Sequence, residues 1–325
     1  MEASTGHGSG QRASDWRAQL PLNGPGPYAV VDGRILTDGL EVIIAAHCNL
    51  RCRACAYLSP VMPAMTAEPA TIHRDLAALA RCYHSSEARV LGGEPMLHPQ
   101  LVQALQAIRA SGVSDTIRVI TNGLLLARVP ASFWRLIDEV SVSVYPGRQP
   151  DDEVIAAAAC MADRHGVRLR KKYFNYFRES YSELGAHDAA LVERIYRTCQ
   201  MANVWRCNTV LNGFLYRCPQ SAFLPSIIHR PGSQANLADG LRITDSQDFA
   251  DQLLAFLESP EPLRSCGNCL GSAGSLLKHT QMSRPLWRTQ QEKHTDITVT
   301  VSRWVGVLVW LRDYLRDTGR ARILR

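Results

Sequence analysis

Hydrophobic and polar positions change period several times along this chain, and each change marks an element. Glu41-Val42-Ile43-Ile44-Ala45 is a short apolar run that predicts a buried strand. Before it, the runs between Tyr28 and Leu40 are broken by Asp32-Gly33 and Asp38-Gly39, the pattern of a small hairpin. Helical spacing covers Ile72 to Tyr83, and Arg89-Val90-Leu91 reads as a short strand ending at Gly92-Gly93-Glu94-Pro95. A helix over Pro99 to Ser111 then precedes a strand from Ile117 to Ile120, ended by Thr121-Asn122-Gly123. A helix near Ala131 to Ile137 leads to a strand from Glu139 to Tyr145, and a helix over Asp152 to His165 leads to one from Val167 to Tyr173.

Repeated strand–helix units of this kind imply an α/β fold with a parallel sheet and right-handed crossovers. The unusual residues gather where strands end, which is where parallel α/β folds and barrels place their active sites. The first half therefore reads as a partial barrel. After about residue 190 the pattern shifts to Cys-, Gly- and Pro-punctuated segments, with a short hairpin over Thr209 to Tyr216 turning at Asn212-Gly213. The expected divisions are a flexible Gly/Ser/Pro-rich arm over 1–27, a core over 28–190, a Cys-rich module over 191–290 and a tail over 291–325. Within that tail, Ser302 to Thr318 has the apolar and basic faces of a docked amphipathic helix, with Gly319 as its stop.

Composition narrows the classes. The 325 residues are 46% hydrophobic and carry a net charge of +6, with no basic block dense enough to indicate nucleic-acid binding. The longest apolar run, Trp304 to Leu311, is too short to span a bilayer, and the first residues lack the apolar core of a signal peptide. The expectation is a cytoplasmic monomer with no membrane or nucleic-acid partner. In that compartment disulfides are disfavoured, so ten cysteines point to metal or cluster ligation.

Cys48, Cys52 and Cys55 are spaced Cys-x3-Cys-x2-Cys directly after a buried strand. Three thiolates on one loop can ligate three irons of a [4Fe–4S] cube and leave the fourth open, whereas a structural zinc site wants a fourth protein ligand. Together with the Gly92-Gly93-Glu94-Pro95 strand end, this loop resembles the radical S-adenosylmethionine (SAM) superfamily. The resemblance implies a partial (β/α)6 radical SAM barrel, a SAM-binding [4Fe–4S] cluster on the three cysteines, and reductive cleavage of SAM to a 5′-deoxyadenosyl radical. It implies that Gly92, Gly93 and Glu94 meet the SAM amino group, with Thr121, Asn122, Ser141 and Ser143 as polar contacts to ribose or carboxylate. Structural hydroxyl roles stay open for the two serines. Family members often carry an aromatic just before the third cysteine, beside the adenine; here that position is Ala54, and Tyr57 is the nearest aromatic.

A second set, Cys199-x13-Gly213-x4-Cys218 followed by Cys266-x2-Cys269, resembles the small auxiliary-cluster module of that superfamily called a twitch domain. The resemblance implies a second [4Fe–4S] cluster on Cys199, Cys218, Cys266 and Cys269. A four-cysteine zinc site and an exchange of Cys199 for Cys207 remain alternatives. Both cysteine sets together resemble the sugar- and aminocyclitol-modifying enzymes of the 2-deoxy-scyllo-inosamine dehydrogenase type. That likeness implies an oxidoreductase of antibiotic or other secondary metabolism that takes hydrogen from a carbinol carbon of a small carbohydrate-type substrate. It also implies a flavodoxin or ferredoxin as electron donor. One alternative is an epimerase in which Cys207 returns a hydrogen atom; another is a peptide-modifying enzyme, against which stands the lack of an evident peptide-recognition domain before residue 40. A base for the hydroxyl is sought among Arg170, Lys171, Lys172, Tyr173 and His98 by position alone.

Overall fold

The computed structural model describes residues 28–186, 188–228 and 239–289; the expected arm over 1–27 and the tail helix lie outside them. The chain begins with the antiparallel hairpin β1 (Ala29–Val31) and β2 (Arg34–Thr37), turning at Asp32-Gly33, and continues into β3 (Leu40–Ala45). Alternation follows: α1 (Pro69–Leu79), β4 (Tyr83–Gly92), α2 (Leu101–Ser111), β5 (Ser114–Thr121), α3 (Ala131–Trp134), β6 (Glu139–Val144), α4 (Asp152–His165) and β7 (Arg168–Tyr173). The remainder is β8 (Tyr176–Arg178), α5 (Ala189–Arg197), α6 (Gln200–Asn203), β9 (Asn208–Leu211), β10 (Phe214–Tyr216), α7 (Pro219–Ile228), β11 (Gly240–Arg242), α8 (Phe249–Glu258), β12 (Leu276–Lys278) and α9 (Arg284–Thr289). Among the described residues no helix is long and apolar enough to cross a membrane.

Strands β3 to β7 pair in parallel and in sequential order, giving the α/β half-barrel expected from the repeated units. β2 also pairs in parallel with β4, and a further parallel strand, β9, joins the other edge beside β3 instead of following β7. Through it the Cys-rich segment is continuous with the core sheet: β9 and β10 form a hairpin about Asn212-Gly213, and β11 pairs onto β10. Both turn residues have positive φ (50° and 81°), which Asn and Gly tolerate and which a tight two-residue hairpin needs. Helices cover one sheet face, where Leu40, Val42, Ile44, Val90, Val119, Val140 and Val142 are buried with Leu76, Leu105 and Ile108.

Helix ends follow the local chemistry. Helix α4 carries Asp152 and Glu153 in its first turn, Arg164 and His165 in its last, and stops at left-handed Gly166. Helix α1 differs from its expected span, starting at Pro69, which suits a first turn, and ending before Tyr83. Tyr83 opens β4 instead, because its hydroxyl accepts hydrogen bonds from Thr37 (2.8 Å) and Asn208 (3.2 Å) inside the sheet. The polar run His84 to Glu87 is therefore strand, its backbone paired with β2 and β5.

The other sheet face is charged at one level. Thr209, Glu41, Arg89, Arg118, Glu139 and Arg168 stand side by side in register from β9 to β7. Glu139 is buried and takes Arg118 (3.4 Å), Arg168 (3.1 Å) and Arg170 (3.3 Å), while Glu87 takes Arg89 (2.9 Å) and Arg118 (2.6 Å). Glu41 is buried too, accepting from Tyr57 (3.1 Å) and Thr209 (3.2 Å), and burial pushes its carboxyl up to about 7. These ion pairs floor the barrel beneath the strand ends.

Two outcomes test this floor. Glu139→Leu leaves half-buried Arg118 with one carboxylate fewer and is expected to lower urea-unfolding stability by about 3 kcal/mol. Arg168→Ala, whose side chain is 64% exposed, is expected to lower it by less than about 1 kcal/mol. The second concerns pH. Folded Glu41 keeps its proton to about 7 whereas an unfolded glutamate releases it near 4.5, so stability falls as pH rises through that window. Glu41→Gln should remove this component, gaining on the order of 3 kcal/mol over wild type between pH 4.5 and pH 8. Parallel stability–pH curves for the two proteins would contradict it.

Candidate active site

The cysteine loop leaves β3 and is held down by the glycine strand end of β4. Gly92 has φ 149°, and a Cβ there would collide with the carbonyl oxygen of Ala45; one at Gly93 would collide with that of His47. In their place the Gly93 and Glu94 N–H groups donate to Ala45 (2.7 Å) and His47 (2.9 Å). The glycines thus admit the backbone that carries Cys48.

Glu94 is fully buried, and its carboxylate accepts from Thr121 Oγ1 (2.6 Å), Asn122 N (2.8 Å) and Met96 N (3.1 Å). Burial still outweighs these bonds and pushes its carboxyl up to about 7. Three donors fill three of roughly four lone-pair sites, so one stays free for an ammonium group. Asn122 reaches back with Nδ2 to Asn49 (2.7 Å), with Cys48 Sγ at 3.8 Å. Ser141 and Ser143 are buried on β6, and Ser143 hydrogen-bonds the Tyr145 hydroxyl. Tyr57 turns its hydroxyl into the floor toward Glu41, with its ring edge-on to Phe223 at 6.2 Å.

The three thiols sit close enough to feel one another's charge, and burial pushes Cys48 and Cys52 up to about 12 and Cys55 upward. Hydrogen bonds from the backbone of Tyr57, Leu58 and Ser59 oppose this at Cys55. Thiols with donors aimed at sulfur become good ligands once a metal displaces their protons. His47 Nδ1 and His279 Nδ1, beside the loop, are buried without a protein partner. The donor set fits a cluster with one open iron and a SAM amino group at Glu94.

Cys199, Cys218, Cys266 and Cys269 line one small pocket with Tyr196, Gln220 and Gly271. Cys199 caps α6, Cys218 precedes α7, and the last two belong to a 3-10 turn over Arg264–Asn268 and its end. Burial raises all four thiols, each of the last three also through the charge of Cys199. Gly271 N donates to Cys269 Sγ (3.3 Å), and buried Arg217 ties Tyr196 to the Ser259 and Glu261 carbonyls. Cys207 does not line this pocket; it lies buried at the entry to β9, beside Glu41 and Arg89 and close enough to feel the charges of Cys218 and Cys199. Among the described residues no three His, Cys, Asp or Glu side chains converge tightly enough for a single metal ion. A four-iron cube spreads its thiolates wider than the roughly 3.8 Å that a zinc–sulfur bond of about 2.3 Å imposes, and does not need that convergence.

Sequence reasoning missed the segment after β12. Gln281 forms a backbone bridge with Cys52, and Trp287 Nε1 donates to the Cys52 carbonyl (3.3 Å). Tyr145, at the end of β6, lies near all three initiating thiols and stacks on His279 at 4.8 Å. Its strand-end position was the available signal for Tyr145; Gln281 and Trp287 offered none. His98 is engaged at both ring nitrogens, with Ala67 O (2.8 Å) and Gln100 N (3.0 Å), and braces the loop.

No family model matches the chain. It is 33% identical over 92 residues to the GTP 3',8-cyclase of Chlorobaculum tepidum, covering 28% of this chain and 27% of that one. The GTP 3',8-cyclase of Rhodopirellula baltica is 34% identical over 122 residues, covering 35% and 33%. Molybdenum cofactor biosynthesis protein 1 of Bos taurus is 29% identical over 119 residues, covering 32% and 18%. The chain thus matches at most about a third of the length of these curated relatives. Among solved structures, BtrN in complex with AdoMet and 2-DOIA is 16% identical with a TM-score of 0.42, covering 73% of this chain and 94% of that one. Native anSMEcpe with bound AdoMet is 17% identical with a TM-score of 0.31, covering 42% and 43%. Three thiols on a loop leaving a buried parallel strand, a Gly-Gly-Glu strand end packed against it, and the similarity to these relatives over about a third of the chain support the likeness to the radical SAM superfamily.

Proposed function

We propose that the chain is a radical SAM oxidoreductase of secondary metabolism that takes a hydrogen atom from a carbinol carbon of a sugar, aminocyclitol or aminoglycoside-like metabolite and leaves a ketone. The observation that carries this reading is the convergence of Cys199, Cys218, Cys266 and Cys269 on one small pocket, separate from the three-thiol loop. When bound, a SAM-ligated cluster and a second, fully ligated cluster supply a hydrogen-abstracting radical and an electron acceptor.

The chain's own residues hold and orient the parts. Cys48, Cys52 and Cys55 would hold the cluster, and Glu94, fixed by Thr121 and Asn122, would pair with the SAM ammonium. Ser141 and Ser143 line the inward face of β6, and Lys172 stands in register with Ser143 on β7 as the candidate base for the substrate hydroxyl. An alcohol that has lost a hydrogen atom must still release one electron and the hydroxyl proton to become a ketone. Four thiols with no open position suit the electron-accepting role. Packing links the two cysteine sites: Trp287 bonds the Cys52 carbonyl and stacks on Tyr181 (6.2 Å), which bridges Cys269. The epimerase alternative would need a thiol beside the reacting carbon, whereas Cys207 is enclosed with Glu41 and Arg89 in the floor. A flavodoxin or ferredoxin is the proposed electron donor.

Anaerobic reconstitution is expected to load about eight irons per chain, and Cys218→Ala about four. About four irons plus a zinc in the wild-type protein would overturn the electron-acceptor role.

A further inference from the structure

Gln281 lies just beyond β12 on a strap that crosses the initiating cysteine loop. Its neighbours dock the strap by backbone: Arg53 N–H donates to Thr280 O (2.8 Å), and Met282 N–H to Arg51 O (2.9 Å). The side-chain amide spans the loop as well. Its Oε1 accepts from the Arg51 N–H (2.6 Å), and only the oxygen end can accept, so this bond fixes which way the amide points. Nε2 is thereby turned to Cys52 Sγ at 3.3 Å, with His279 Nε2 at 3.5 Å on its other side. His279 is itself clamped, stacked on Tyr145 and edge-on to Phe177 at 5.1 Å. The donor is therefore oriented at three points.

We infer that Gln281 is a positioning residue that raises the reduction potential of the cluster held by Cys48, Cys52 and Cys55, by donating its amide N–H to the Cys52 sulfur. The inference rests on those three cysteines holding the cluster. Reduction adds one electron and increases negative charge on the ligating sulfurs, so a hydrogen bond to sulfur strengthens and favours the reduced form. Cluster potentials respond to hydrogen bonds of this kind as well as to net charge and exposure. At Cys52 this donor comes from a segment about 230 residues further along the chain, so docking of the strap and ease of reduction are coupled.

The test is a potentiometric titration of the reconstituted holoprotein, following the EPR signal that changes when SAM is added. Gln281→Leu removes the donor; at a given potential its reduced-to-oxidised ratio is expected to fall about tenfold, which is about 59 mV for one electron. Gln281→Glu keeps an acceptor for the Arg51 N–H, so the strap stays docked, but faces sulfur with an oxygen; it is expected to fall further still. The added carboxylate charge lowers the potential by itself, so Gln281→Leu, which changes no charge, is the deciding variant. A wild-type titration curve for Gln281→Leu would overturn the inference. A wild-type protein with no SAM-responsive signal would instead overturn the cluster reading, and this inference with it.

Discussion

The structure depends on one close approach: the backbone of Gly92 and Gly93 against the carbonyls of Ala45 and His47. A β-carbon at either glycine would push the end of β3 away from β4, and the loop bearing Cys48, Cys52 and Cys55 would lose its support. The contact also aims the next residue. Glu94 enters a fully buried position where Thr121, Asn122 and Met96 supply donors, and Asn122 returns to Asn49 on the cysteine loop. Strand ends of β3, β4 and β5 are thereby locked into a single unit, with a carboxylate at its centre that burial makes reluctant to ionise. An arriving ammonium group would supply the missing countercharge.

Two further constraints hold the second cysteine site to the first. The hairpin of β9 and β10 extends the sheet beyond β3, so the segment bearing Cys199 and Cys218 is anchored to the same strand that launches the initiating loop. After Cys266 and Cys269 the chain passes through β12 and returns to Cys52, where Gln281 and Trp287 bind both its side chain and its carbonyl. Across the sheet, Glu41, Arg89, Arg118 and Glu139 stand in one row, with the two arginines between the two carboxylates. Each buried carboxylate there has at least one guanidinium or hydroxyl partner. Radical chemistry needs such enclosure, because a reactive carbon must meet its substrate and not water.

Much of this was legible in the sequence because it is local. Periodicity placed β3, β6 and α4 within a residue or so, since α4 carries its own charge pattern and glycine stop. The family resemblance singled out the seven thiols, with Cys207 as an alternative to Cys199, and Gly213 marked the hairpin turn between Cys199 and Cys218. What escaped depends on partners distant in sequence. The polar run His84 to Glu87 is strand only because β2 and β5 pair with it. Likewise, β9 adds beside β3 because Thr209 finds Glu41 there, and Gln281 acquires a role only when the strap meets Cys52. The glycines at 92 and 93 show the same division: their presence at a strand end was plain, but the carbonyls they accommodate were not.

The central claim is that the three-thiol loop and its glycine strand end start radical chemistry on SAM. The most direct measurement is anaerobic incubation of the reconstituted, reduced protein with SAM, followed by quantification of 5′-deoxyadenosine and methionine. Release of both by the wild-type protein, and by neither Cys52→Ala nor Cys48→Ala, is the predicted result. A reconstituted wild-type protein that leaves SAM intact, or cysteine variants that still release deoxyadenosine, would contradict it.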